Sequence, residues 1–168
     1  MKVFGRKDGS KEPAAGPEVA YIGLRDLALG LTLEQLDETH AGAPVVALLM
    51  ETAYPEGVAT LVGVVDGSTS LYFSGGGGFV GAGSHAQVAA ATQRWLELAA
   101  TFLPLLSQVT APLPPGPGQT QFVAVTPGGL STAVAPETEL GNRSHVLSPL
   151  FFGGQDVITQ MRLAAPQG

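Results

Sequence analysis

A run of glycines between a strand-like segment and a helix-like segment constrains the fold of this chain more than any other feature. The segment from Leu71 to His85 reads LYFSGGGGFVGAGSH, and apolar residues at helical spacing follow it. Backbone N–H groups at such a loop and at the start of the helix can converge on an anion. The same glycines also permit positive φ angles and a close approach of the helix to the sheet. The sequence leaves both interpretations open.

Turn signals before the glycine run separate three predicted strands. Residues 45–52, 58–65 and 69–73 are rich in apolar and β-branched residues. Tyr54-Pro-Glu-Gly57 has the chemistry of a β-turn, and Asp66-Gly67 is typical of a two-residue hairpin. Strands that are joined by tight turns pair antiparallel, so the sequence predicts a β-meander.

The spacing of apolar residues after the glycines predicts a long helix from Ser84 to about Phe102. Ser84-His-Ala-Gln87 fits a capping box, which favours a role for Ser84 as helix cap over a role as nucleophile. Pro104 ends or kinks this helix, because proline cannot donate the next backbone hydrogen bond.

Two segments near the beginning and one near the end have weaker patterns. Residues 18–30 fit either a strand entering a short helix or one amphipathic helix, and the capping box Thr32–Gln35 predicts a short helix from Leu33 to about Thr39. Ser148-Pro149 marks a helix start, and residues 156–163 fit either a final helix or an edge strand.

A proline-rich linker precedes a second predicted hairpin. Residues 112–118 read PLPPGPG, and the strands 121–126 and 130–135 flank a Pro-Gly-Gly turn at 127–129. The element order is then helix, meander, long helix, hairpin and terminal helix. It predicts an α+β fold, in which an antiparallel sheet made of the meander and the C-terminal hairpin is packed on one face by the long helix, with short flanking helices. Residues 18–168 are predicted to form one domain behind a disordered basic tail, residues 1–17.

The distribution of charge narrows the class of partner. Apolar residues make up 45% of the chain and charged residues only 13%, about half the usual share. Such a composition favours a homo-oligomer or a subunit of a larger assembly. Half of the basic residues lie in the first eleven positions (Lys2, Arg6, Lys7 and Lys11), and from Glu12 onward four arginines face thirteen acids. An acidic body repels phosphate backbones, so no nucleic-acid partner is expected.

Other classes of protein are disfavoured by what the sequence lacks. Without cysteine there are no disulfides, thiolate nucleophiles or cysteine metal ligands. The N-terminus lacks the apolar core of a signal peptide, and the longest apolar run, residues 45–50, is too short to span a bilayer. A cytoplasmic location in a bacterium is the expectation, with no integral membrane segment.

Gly76–Gly81 matches the pattern G-x-G-x-x-G, which occurs in dinucleotide-binding loops. On that alternative, the residues that bind a small molecule or a phosphate group are Gly76, Gly78, Gly81 and Ser84. The chain lacks the acidic residue that such a site needs at the end of the next strand, and no P-loop lysine follows the glycines. We therefore expect no cofactor.

The three histidines His40, His85 and His145 do not form a pair with metal-ligand spacing. The acids at positions 34, 37 and 38 stand near His40 at helical spacing, and we interpret them as a solvated face and predict no metal site. No G-x-S-x-G elbow is present, and we assign no catalytic residue. The aromatic residues assigned to an interface are Trp95, Phe102, Phe151 and Phe152, the last two in a predicted loop where they are either core residues or anchors.

The element order resembles that of roadblock-type domains, small α+β domains that assist Ras-like GTPases and motor complexes. The resemblance runs through Ala59–Gly67 with its Asp-Gly turn, the strand 69–75, the helix 85–103 and the hairpin 121–135. The predicted strand 45–52 and the long proline-rich linker depart from it. The resemblance implies dimerisation through helices and sheet and no enzymatic activity, and it carries over no site residues.

The sequence thus predicts a non-catalytic interaction or scaffold subunit that acts through apolar helix and sheet surfaces. An adaptor of a small GTPase or of a larger assembly is one form of this prediction. The alternative is a small-molecule or phosphate-binding domain, which can be an enzyme, built on the glycine-rich loop 75–84.

Overall fold

The computed structural model describes residues 16–166 and has the predicted α+β fold. Its helices are α1 (Pro17–Leu29), α2 (Ala86–Phe102), α3 (Glu137–Gly141) and α4 (Ser148–Ala164). Its strands are β1 (Ala47–Tyr54), β2 (Gly57–Val64), β3 (Thr69–Phe73), β4 (Gly78–Phe79), β5 (Ser107–Val109), β6 (Gln119–Thr126) and β7 (Gly129–Pro136). The predicted basic tail lies outside the described residues, except for Gly16, the N-cap of α1, and Pro17, its first residue.

The seven strands form one antiparallel sheet in the order β4-β3-β2-β1-β6-β7-β5. The predicted meander is β1 to β3, and β6 of the predicted hairpin pairs with β1, so β1 lies at the centre. At the β2–β3 hairpin, Gly67 has a φ of +94°, and the Asp66 carboxylate accepts a hydrogen bond from the Ser68 N–H at 2.9 Å. This local chemistry explains why the turn could be predicted from two residues.

Helices α2 and α4 cover one face of the sheet and pack closely on each other. The Trp95 indole lies between them, and its Nε1–H donates to the Leu150 carbonyl oxygen at 2.9 Å. Two glycines of α4 permit this approach. A Cβ at Gly153 would lie 2.7 Å from the Trp95 ring, and one at Gly154 would lie 2.7 Å from the end of the Met50 side chain. The core on this face therefore depends on small residues in α4.

Helix α1 covers the opposite face, which the sequence pattern did not assign to any element. Residues 18–30 are one helix, and α1 buries Tyr21, Arg25 and Ala28 against the sheet. Leu49, Val62 and their neighbours supply the apolar part of that face. The sheet is thus the middle of three layers.

The predicted helix from Leu33 to Thr39 is wrong in type. Two 3₁₀ turns, Leu33–Gln35 and Glu38–His40, occupy this stretch. Leu36 between them has an extended backbone (φ −110°, ψ 168°), which interrupts the i to i−4 hydrogen bonds of a helix. The capping contact that the pattern predicted is present, since the Thr32 N–H donates to Gln35 Oε1 at 2.8 Å.

The C-terminal part of the chain forms a helix where the sequence left a helix and an edge strand open. Residues 156–163 belong to α4, as do Phe151 and Phe152, which were predicted in a loop. Ser148 is the first residue of α4 rather than its cap, which is Leu147. The short elements β4, β5 and α3 were not predicted. Among the helices of residues 16–166, none is long and apolar enough to cross a bilayer.

Candidate functional site: a cleft beside the glycine-rich segment

The glycine-rich segment folds back on the sheet before it reaches α2. Gly78 and Phe79 form the edge strand β4, with Gly78 opposite Tyr72 and Phe79 opposite Leu71. Gly78 has a φ of +150°, and a Cβ there would lie 2.7 Å from the Tyr72 Cα. Glycine is therefore required at this position by both conformation and space. The sequence analysis predicted no strand between residue 73 and the helix, and so it missed this hairpin.

Helix α2 begins two residues later than predicted. Gly81 turns the chain with a φ of +78°, a 3₁₀ turn spans Ala82–Ser84, and His85 is the N-cap of α2. No side chain caps the helix, so Ser84 does not have the capping role that the pattern suggested. A Cβ at Gly83 would overlap the Gly67 carbonyl oxygen. Gly83, in the tight turn that precedes the helix, therefore packs directly against the β2–β3 hairpin.

A cleft of about 690 Å³ opens between this segment, β3 and the end of α4. Its buried apolar wall includes Leu71 and Met161, which also belong to the core beneath α2 and α4. Phe79 and Val80 form its rim and are 55% and 73% exposed. Apolar walls with a few polar groups are typical of ligand-binding clefts of this size.

Of the residues that the structure describes, the polar side chains that line the cleft are Ser84, His85 and Arg162, and no aspartate or glutamate is among them. Arg162 donates to Thr159 Oγ1 at 3.4 Å and contacts no carboxylate within residues 16–166. The other arginines of this range have partners: Arg25 binds Glu51, Arg94 approaches Asp156, and Arg143 lies over the Phe152 ring. Among the described residues, the cleft thus carries the cation Arg162 and the polar side chain of His85, with no acid beside them.

The structure brings together three of the four residues that were predicted to bind a ligand. Gly78, Gly81 and Ser84 line the cleft. Gly76 lies elsewhere, because a Cβ at that position would meet the Pro17 ring of α1 at 3.1 Å. A dinucleotide site also needs parallel strands joined by a helix, and every strand pair within residues 16–166 is antiparallel. The phosphate-cradle geometry is therefore not formed by these glycines.

The four predicted interface residues have different environments. Trp95 and Phe151 are buried core residues, whereas Phe102 and Phe152 are half-buried at the edge of the same cluster. The Phe151 and Phe152 rings meet edge to face, with their centroids 5.4 Å apart. In this conformation only Phe102 and Phe152 are accessible to a partner.

A second polar site is closed and lies under α1. The Glu51 carboxylate, on the central strand, is fully buried. Arg25 donates two hydrogen bonds to it, at 2.7 and 2.8 Å, and Gln121 donates a third at 3.0 Å. Thr60 donates at 3.1 Å, and Tyr21 lies 2.8 Å from the Thr60 hydroxyl. Every group that contacts the carboxylate donates a hydrogen bond to it, and the carboxylate accepts these bonds within the protein. The cluster therefore fixes α1 on the sheet.

Tyr21 of this cluster and its neighbour Tyr72 have raised pKa values. Burial raises the pKa of Tyr21 to about 12. Burial also raises the pKa of Tyr72, whose hydroxyl has no hydrogen-bond partner among the described residues. The Tyr21 and Tyr72 rings pack edge to face, with centroids 5.7 Å apart. Sequence reasoning missed this cluster, and its one available signal was an acid, Glu51, inside an otherwise apolar strand.

No metal site is formed within the part of the chain that the structure describes, since no three histidines or acids there are placed to hold an ion. His40 Nε2 lies 3.7 Å from Asp37 Oδ1, and no third ligand among the described residues joins this pair.

Comparisons with protein-family models, with curated proteins and with solved structures find no match for this chain. The resemblance to roadblock-type domains therefore stays a prediction.

Proposed function

We propose that this protein is a non-catalytic interaction subunit that docks on another protein through the outer face of α1. The observation that carries this proposal is that α1 exposes large apolar side chains on the face that points away from the sheet. Its inner face packs on the sheet, and its outer face presents Val19, Ile22 and Leu27, which are 58%, 49% and 70% exposed. Grouped apolar side chains on an exposed face mark interaction surfaces, so the outer face is suited to a further layer.

Rotation of α1 cannot hide these side chains. The two hydrogen bonds from Arg25 to Glu51 and the packing of Tyr21 on Tyr72 fix which side of the helix faces the sheet. Turning α1 would remove Arg25 from a buried carboxylate, which is strongly unfavourable. The apolar outer face is therefore a fixed property of the folded domain.

The charges around this face favour a partner of particular chemistry. Glu18 and Asp26 lie on α1, while its arginine is buried on the inner side. Gly23 leaves open space beside them for a closely approaching side chain. An apolar partner surface flanked by lysine or arginine complements this arrangement. Two copies of α1 packed antiparallel would bring like charges together, so a second copy is the less favoured partner.

The resemblance stated above adds an adaptor role beside a small GTPase as one form of this function. Homo-oligomer formation, which the composition predicts, also belongs to the proposal, and sedimentation equilibrium of the purified protein tests it. A mass that stays at the monomer value up to high micromolar concentration would restrict the proposal to a different protein as partner.

Affinity purification from the source cells tests docking on α1. The variant Val19→Glu/Leu27→Glu places acids on the outer face, and Leu105→Glu/Val146→Glu is the matched control, with two similarly exposed apolar residues elsewhere. We expect a specific partner to be retained by the wild type and the control and lost with the α1 variant. Equal retention by all three proteins would contradict docking on α1.

A second candidate function is the binding of a small molecule at the cleft beside the glycine-rich segment. The specific observation in its favour is the combination of a volume of about 690 Å³, apolar walls and Arg162, which contacts no acid within residues 16–166. It is independent of α1, which lies on the other face of the sheet.

A further inference from the structure

We propose that the cleft binds an amphipathic carboxylate, meaning an apolar chain that ends in a carboxylate group. This inference rests on the second candidate function, ligand binding at the cleft, and not on docking through α1. Its first support is the nature of the walls. Apolar side chains come from three separate elements: Leu71 from β3, Phe79 from β4, and Ile158 and Met161 from α4. A chain of methylene groups inserted between them loses its contact with water.

The second support is the position of charge. Arg162 lines the cleft and contacts no acid within residues 16–166, and His85 lines it from the start of α2. Arginine binds carboxylates through paired hydrogen bonds, and such charge-assisted bonds are the strong ones. In a chain with a net charge of −6, an apolar cleft that carries an arginine and, among the described residues, no acid selects for an anion. A neutral apolar ligand would leave Arg162 without this interaction.

The third support concerns the glycines, which make room for the ligand rather than hold it. Gly78 packs against the backbone of β3 and is used for that pairing, while Gly76 faces α1. Gly81 has open space around its Cβ position on the cleft side of the segment. Inorganic phosphate has no apolar chain, so it gains nothing from the apolar walls that a carboxylate with such a chain contacts.

The experiment measures binding of decanoate, with decanol and inorganic phosphate as comparison probes. Calorimetry gives the affinities, and NMR of the Met161 and Ile158 methyl groups reports whether the ligand enters the cleft. We expect decanoate to shift these methyl signals and to bind at least about tenfold more tightly than decanol, since a hydrogen bond to a charged group is worth roughly that factor. Phosphate alone is expected to cause no shift.

Arg162→Gln is the central variant, and Arg94→Gln is its matched control, because Arg94 is an exposed arginine that pairs with Asp156 away from the cleft. We expect Arg162→Gln to reduce the affinity for decanoate to that of decanol, and Arg94→Gln to leave it unchanged. Val80→Asp, at an exposed rim position, offers a second variant that should weaken decanoate by placing a negative charge beside it.

The outcomes separate this inference from the function on which it rests. If neither decanoate nor decanol shifts the Met161 and Ile158 signals, ligand binding at the cleft is itself wrong. If decanol binds as tightly as decanoate and Arg162→Gln has no effect, the cleft binds apolar molecules but the carboxylate class is wrong. Displacement of decanoate by phosphate would overturn the requirement for an apolar chain.

Discussion

Arg25 on α1 donates two hydrogen bonds to the fully buried Glu51 carboxylate at the centre of the sheet. The two residues are 26 positions apart, and their contact ties the outermost layer on this face to the strand that holds the sheet together. Arginine is suited to this position because its planar guanidinium matches both carboxylate oxygens at once. The pair fixes how α1 lies on the sheet, and with it the apolar face that α1 presents.

Removal of Arg25 alone is expected to destabilise the protein strongly. In Arg25→Met the Glu51 carboxylate stays buried without its counter-ion, at a cost of about 3–5 kcal/mol in the free energy of unfolding. Urea denaturation, followed by circular dichroism, measures this difference. The exposed pair Arg94–Asp156 supplies the control, because Arg94→Met should cost less than about 1 kcal/mol.

The double variant Arg25→Met/Glu51→Leu tests how much of the lost stability comes from leaving the Glu51 charge buried without a counter-ion. An apolar pair of similar volume removes the buried charge, so much of the stability lost in Arg25→Met should return. A double variant as unstable as Arg25→Met would show that Tyr21, Thr60 and Gln121, left without the carboxylate, carry most of the cost.

Two neighbouring tyrosines should respond in opposite directions to loss of the hydroxyl. Tyr72→Phe removes a buried hydroxyl that has no partner among the described residues, so we expect no loss of stability and a gain of up to about 1 kcal/mol. Tyr21→Phe removes a hydroxyl that bonds Thr60 at 2.8 Å and should cost about 1 kcal/mol. Thermal unfolding of both variants tests this contrast, and a clear destabilisation by Tyr72→Phe would indicate a buried water on its hydroxyl.

The same tyrosines predict how stability depends on alkaline pH. The pKa of Tyr21 is about 12 in the folded protein against 10.0 in the unfolded chain, and that of Tyr72 is also raised. Between these values the unfolded chain has already lost protons that the folded protein keeps, so stability falls as pH rises. The contribution of Tyr21 is complete below pH 10 and is lost as pH rises toward 12, roughly 3 kcal/mol in all.

Urea midpoints measured from pH 8 to 11 check this slope. The variant Tyr21→Phe/Tyr72→Phe lacks both titrating groups and should show a shallower decline than the wild type. Parallel curves for the two proteins would contradict the assignment of the slope to these residues.

The parts of the fold that the sequence predicted correctly are those with local causes. Asp66-Gly67 determines its hairpin by the conformations that these two residues adopt, and the long helix is determined by apolar spacing over many residues. The short edge strands β4 and β5 have two and three residues, too few for any periodicity, and they exist because a neighbouring strand offers hydrogen bonds. The position of α1 on the sheet depends on Arg25 and Glu51, which are far apart in the sequence and come into contact only in the folded protein.

The candidate cleft could be predicted in part for the same reason. Gly78, Gly81 and Ser84 belong to one continuous segment whose composition is unusual, and that segment does line the cleft. Its opposite wall comes from Met161 and Arg162, which lie far along the chain and reach the site only because α4 packs beside α2. No local pattern marks Arg162, since its proposed role depends on the lack of an acid beside it among residues 16–166.

The packing of α4 on α2 gives a last prediction, based on Gly153. A Cβ at this position would lie 2.7 Å from the Trp95 ring, which is fully buried and held by its hydrogen bond to Leu150. Because the ring is rigid and enclosed, Gly153→Ala must displace α4, and overpacking of this kind costs about 1–3 kcal/mol. At Gly154 the nearest atoms are the flexible end of Met50, so Gly154→Ala should cost less than Gly153→Ala.

Gly141 is the control for the helix propensity of alanine, since it ends α3 without positive φ and a Cβ there meets nothing within 4 Å. Gly141→Ala should leave stability unchanged or raise it by about 0.4–1 kcal/mol. Urea denaturation of the three variants should therefore rank Gly153→Ala as the least stable and Gly141→Ala as the most stable. The same displacement of α4 moves the wall that carries Met161 and Arg162. Gly153→Ala should therefore also lower the affinity for decanoate that we propose for the cleft. Unchanged binding together with lowered stability would mean that α4 adjusts near Gly153 without moving its C-terminal turns.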